Sequence, residues 1–103
     1  MLFRSVLGAG GGWYSGLAGV AAPQEGRRST CRVVITAVTP GVVHPVLPCG
    51  VKIFVAFGEK EALTQVVDRG ATGPGRQFDL TPGLAGLLGL EGVQPVRWAF
   101  ARG

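Results

Sequence analysis

What is scarce in this chain narrows its chemistry first. A lone histidine, His44, and two cysteines, Cys31 and Cys49, that form no Cys-x-x-Cys step are too few soft ligands for a tetrahedral zinc site, so no metal is expected. No Gly-Lys-Ser/Thr step occurs, and the run Gly8-Ala9-Gly10-Gly11-Gly12 meets Trp13 where a dinucleotide fingerprint needs its last glycine; no cofactor is expected. No apolar stretch has the length of a membrane span, which excludes a transmembrane segment. Residues 2–7 carry a basic residue and some apolar character, but the glycine run interrupts them at once, so no export signal is read there.

Long helices are excluded as well, because eighteen glycines and seven prolines interrupt the apolar runs of a 103-residue chain. That length suits one domain, and an apolar share of 47% broken by so many turn formers points to an all-β fold. The formal charge is +4, and eight of the ten cations are arginine, which forks onto carboxylates and phosphates, so an anionic partner is plausible. Nucleic acid is not the expected one: Trp13, Tyr14 and Trp98 lie away from Arg27, Arg28 and Arg32, whereas single-strand binders interleave aromatic and basic groups. The arginine cluster reads as a solvated loop. Pairing Cys31 with Cys49 would stabilise the domain by about 3 kcal/mol and imply an oxidising compartment; the alternative is two buried thiols in a reducing one.

Along the chain, residues 1–11 read as a lead-in or first strand, and residues 12–103 as the domain proper. Trp13 and Tyr14 open a strand, and residues 16–29 lack a sustained period and read as a surface loop. Residues 30–36 read as a short β-branched strand, and residues 42–50, punctuated by Pro45 and Pro48, as an edge or bent connection. Residues 51–57 and 61–68 alternate as the two arms of a hairpin turning at Gly58. Thr81-Pro82, then Leu84, Leu87 and Leu88, then Gly89, predicts a capped helix of about two turns, and residues 93–101 a closing strand bearing Trp98.

Taken together, Gly12-Trp13-Tyr14, the segment Val43-His44-Pro45-Val46-Leu47-Pro48-Cys49-Gly50, Val67-Asp68-Arg69-Gly70, and Gly75-Arg76-Gln77-Phe78-Asp79-Leu80-Thr81 resemble the rare lipoprotein A (RlpA)-like domain in order and spacing. The resemblance implies a six-stranded double-psi β-barrel with one or two short helices, related to expansins and barwin-like proteins. It also implies a disulfide, since Thr30-Cys31 and Cys49 fall where one subgroup carries paired Thr-Ala-Cys-Gly and Leu-Pro-Cys-Gly segments. It places the protein outside the cell or in the cell envelope, with peptidoglycan or another cell-wall polysaccharide as partner.

Active members resemble lytic transglycosylases, in which one acid protonates the glycosidic oxygen between muramic acid and glucosamine and then takes the proton of the 6-hydroxyl as the 1,6-anhydro ring closes. Asp68 would be that acid, with His44 orienting it or contacting a sugar; Asp68 could equally hold its turn, and His44 could be a structural imidazole. Trp13, Tyr14, Arg69 and Arg76 are the candidate substrate-binding residues, although Trp13 and Tyr14, adjacent on a strand, should face opposite sides. Asp79 reads as an anchor for Arg76 or its loop. The chain departs from active members at Arg32-Val33-Val34, where they carry Gly-Glu, and at Ala71, where the turn usually has proline. Whether it is an enzyme is therefore open, and the alternative is an inactive glycan-binding or extracellular assembly barrel.

Overall fold

Turn formers cut the chain into short strands. The computed structural model, which describes residues 12–23 and 25–101, has eight of them: β1 (Tyr14–Val20), β2 (Arg27–Arg28), β3 (Val34–Ile35), β4 (Val42–His44), β5 (Lys52–Phe57), β6 (Lys60–Arg69), β7 (Arg76–Leu80) and β8 (Gln94–Phe100). One helix, α1 (Pro82–Leu88), lies between β7 and β8. The expected lead-in, residues 1–11, falls outside the described residues.

Six strands close a barrel in the order β1-β7-β4-β6-β5-β8, and β2 and β3 form a separate two-stranded ribbon. The pairs β1/β7 and β4/β6 are parallel; the other barrel neighbours run antiparallel. The closed six-stranded barrel is the fold class expected, and of the one or two short helices expected one is seen among the described residues. The β5–β6 hairpin is also as expected, with Phe57 opposite Lys60 and Gly58 supplying the left-handed φ of 60° in the two-residue turn.

Three expectations need correction. Residues 16–20, read as loop, belong to β1, paired on both edges. Gly16 and Gly19 hid the strand period, and the fold requires them: the Gln77 side chain lies where a Cβ on Gly16 would go, and one on Gly19 would stand 2.8 Å from Arg76 Cδ. Second, residues 42–44 form no edge. β4 lies between β6 and β7 with all three side chains buried, because Pro40 precedes the strand and Pro45 follows it, so the prolines delimit the ladder without interrupting it. Third, residues 30–36 are mostly not strand; only Val34 and Ile35 pair, against Arg28 and Arg27, and residues 29–32 turn tightly with Arg32 at a φ of 62°.

Inward side chains of every barrel strand meet in one core, including Ala18, Val42, Ile53, Val66, Phe78 and Val96, the larger ones each contributing about 1.5–3 kcal/mol. Helix α1 closes the end of the barrel where β7 finishes, through Leu84, Ala85 and Leu88. Its cap is the one legible in the sequence: Thr81 Oγ1 accepts from the Leu84 N–H at 3.2 Å, and Gly89 stops the helix at a φ of 72°.

Candidate functional site

The opposite end of the barrel carries several of the residues singled out in the sequence, among them Tyr14, His44 and Arg69. Here β1 and β7 begin and β4, β6 and β8 end, which brings Tyr14, Gln77, His44, Arg69 and Phe100 to one rim. Cys31 and Cys49 are bonded, S–S 2.06 Å, with their Cα atoms 5.4 Å apart. This link ties the turn after β2 to the segment after β4, as the resemblance implied.

Asp68, near the end of β6, is 8% exposed. Its Oδ1 accepts from the Thr30 N–H (3.0 Å), the Thr30 hydroxyl (2.7 Å) and the Arg69 N–H (2.9 Å). Thr30 Oγ1 in turn accepts from the Arg69 N–H at 2.8 Å. One residue earlier, the Ser29 hydroxyl donates to the Val67 carbonyl and accepts from the N–H groups of Cys31 and Val33 at 3.2 Å each. Ser29 and Thr30 therefore pin the tight 29–32 turn onto the end of β6, and Asp68 is the acceptor that holds it. Sequence reasoning missed both hydroxyl residues; the only signal was their position beside Cys31.

His44 is not a partner of Asp68. The β4–β6 register sets Val43 opposite Asp68 and His44 opposite Arg69, so the imidazole and the carboxylate leave opposite faces of the ladder. His44 Nδ1 accepts from the N–H groups of Val46 and Leu47, each at 3.1 Å, which fixes the neutral ring with its proton on Nε2. Burial lowers its pKa from the ordinary 6.5. The ring stacks on Phe78 with centroids 6.2 Å apart.

From Phe78 an aromatic chain crosses the rim. Phe78 meets Trp98 edge-on at 5.8 Å, and Trp98 contacts Phe100 at 5.2 Å and Tyr14 at 4.7 Å. Trp98 Nε1 donates to Gln77 Oε1 at 2.9 Å, which uses the space that Gly16 leaves open. Tyr14 remains 48% exposed and is the ring most available to a ligand. Trp13 goes elsewhere, as strand alternation required: it packs toward Phe54 at 6.4 Å, with the Arg97 guanidinium 5.5 Å over its ring.

The arginines divide. Arg76 forks onto Asp79, Nε to Oδ1 at 2.9 Å and Nη2 to Oδ2 at 3.2 Å, and lies over Gly19 and Gly73, so it braces the barrel wall. Asp79 is its anchor, as the sequence suggested. Arg69 is exposed on the rim opposite His44. A groove of about 270 Å³ is lined by Pro40, Lys52, Leu63, Thr64 and Gln65 and involves none of the expected site residues. Among the described residues no cluster of His, Cys, Asp or Glu could hold a metal ion, and no helix is long and apolar enough to cross a membrane.

No protein-family profile matches the chain, and neither does any curated protein. Among solved structures the chain is similar to Streptomyces papain inhibitor, with a TM-score of 0.68 at 23% identity, covering 89% of this chain and 96% of that one. At that identity the likeness establishes a shared small-barrel fold.

Proposed function

We propose that this is an extracellular, RlpA-like barrel that binds cell-wall glycan at its aromatic rim without cleaving it. One observation carries the non-catalytic part: Asp68 is buried and its Oδ1 is taken up by three hydrogen bonds that hold the 29–32 turn on the end of β6, a structural task that leaves it turned away from any bound glycan. The second carboxylate that hydrolysis would need, Asp79, is forked onto Arg76. The disulfide supports an oxidising, extracellular setting. The exposed Tyr14 ring backed by Trp98 supplies an apolar face for a pyranose, and Arg69 on the same rim suits the anionic groups of peptidoglycan.

Purified sacculi test this directly. The protein should pellet with them and release no anhydro-muropeptides, and Tyr14→Ala should lower the pelleted fraction. Release of anhydro-muropeptides that is lost in Asp68→Asn would make it a lytic transglycosylase instead.

One observation favours a second reading, binding to a protease: the structural match to a papain inhibitor extends over 89% of this chain. Inhibition of papain at micromolar concentration, with no pelleting on sacculi, would select that reading over the first.

A further inference from the structure

We infer that His44 is an acid-released latch for the loop at residues 45–47, so that protonating one buried imidazole opens the rim beside the aromatic chain. The loop follows β4 directly. Its far end is fixed by the Cys31–Cys49 disulfide and by the Gly50 N–H, which donates to the Val66 carbonyl at 2.9 Å. Its near end is held differently: the N–H groups of Val46 and Leu47 both point inward onto His44 Nδ1. Val46 itself is 69% exposed, so its side chain adds little to keep the loop down, whereas Leu47 packs partly against the core.

A neutral imidazole accepts at Nδ1; an imidazolium can only donate there. Protonation therefore turns two hydrogen bonds into a clash of one N–H against two others. Nearby charges offer the imidazolium no compensation. On β6, Arg69 stands opposite His44 and is itself cationic, and Asp68 leaves the other face and is held by Thr30. On β7, Asp79 lies opposite Val43 and is forked onto Arg76, while Phe78 presents an apolar ring to the imidazole. The protonated ring must swing out or the loop must lift, and with it goes Leu47, one of the residues covering the core at this rim. The disulfide limits the movement to the near half of the loop.

The inference does not depend on what the barrel binds, because it is read from the free protein. Amide exchange followed by NMR tests it. Above pH 6.5, the ordinary value for histidine, Val46 and Leu47 should be protected. Below it, opening linked to one proton should raise their exchange, corrected for intrinsic chemistry, up to about tenfold per pH unit, levelling off once the His44 ring signals have titrated. Amides of the β5–β6 hairpin should not follow. In His44→Asn, whose Oδ1 can take the place of Nδ1 without titrating, protection should persist through the same range. Equal protection in the wild type on both sides of the His44 transition, or a proton found on Nδ1 at neutral pH, would overturn the latch.

Discussion

Asp68 and Thr30, 38 residues apart, are joined twice through a single oxygen: Asp68 Oδ1 takes both the backbone N–H and the hydroxyl of Thr30. The pair makes Asp68 part of the scaffold, and its removal should be read in stability before activity. Hydrogen bonds to a buried charge contribute about 1.5–3 kcal/mol, so Asp68→Ala should lower unfolding free energy by that much in urea titration. Thr30→Ala should cost a similar amount, and the double variant should fall short of the sum by about 1 kcal/mol. Additive losses would mean that the two residues act separately.

Arg32 is the described non-glycine residue with a positive φ, 62°, and it follows Cys31 where the family resemblance has glycine. A side chain in that left-handed region costs about 1–2 kcal/mol, part of which glycine returns through its more flexible unfolded chain. Arg32→Gly should therefore raise stability by about 0.5–1 kcal/mol. The Arg28 guanidinium bonds only the carbonyl of residue 32, at 3.2 Å, and would keep that contact. Unchanged or lower stability in denaturant titration would show that the side chain contributes something the strain does not outweigh.

Thr64 lies in register with Ile53, and its hydroxyl is buried without a hydrogen-bond partner among the described residues. Such a group costs about 1–3 kcal/mol, and valine has the same shape without it. Thr64→Val should raise the unfolding free energy by about 1 kcal/mol, read as a higher urea midpoint at constant slope. A fall would reveal a partner that the static structure conceals.

What the sequence disclosed follows from what local rules can see. Residues 51–57 and 61–68 showed as a hairpin because alternation and a glycine turn are local signals, and α1 showed because Thr81, Pro82 and Gly89 each mark a helix end. Residues 16–20 stayed hidden because Gly16 and Gly19 answer to Gln77 and Arg76, some 60 positions away. Asp79 as the anchor of Arg76 and a turn-holding Asp68 were both readable from the sequence, but the partner that Asp68 takes was not. Nothing local says that Asp68 turns to Thr30 and not to His44, since that depends on the β4–β6 register and on an irregularity between Val42 and Val43.

Two glycines of the same short helix should respond oppositely to alanine. A Cβ on Gly83 would stand 2.6 Å from the Thr39 carbonyl oxygen, and that carbonyl also accepts from Thr81 Oγ1 at 2.6 Å, so the backbone cannot yield without loosening the cap. Gly83→Ala should cost about 1–3 kcal/mol. A Cβ on Gly86 meets open space, and alanine there should add about 0.5–1 kcal/mol through helix propensity. Thermal unfolding of both variants checks the packing of α1 against the 38–39 turn; losses of equal size would mean the helix is not seated there.

His44 also sets a pH dependence for the whole fold. Burial holds its folded pKa below the unfolded value of 6.5, so between those two values the unfolded chain binds more protons than the native one. The native state loses stability as pH falls through that window, and the loss levels off once the pH is below the folded value. Above 6.5 both states carry a neutral ring and the contribution is flat. The Tm of the wild type should therefore decline below pH 6.5 relative to His44→Asn, whose curve keeps only the carboxylate-dependent slope, and the two should run parallel above it. Curves that stay parallel from about pH 8 down to about pH 5 would mean that the imidazole accepts its proton in place, with Nδ1 already turned away from Val46 and Leu47.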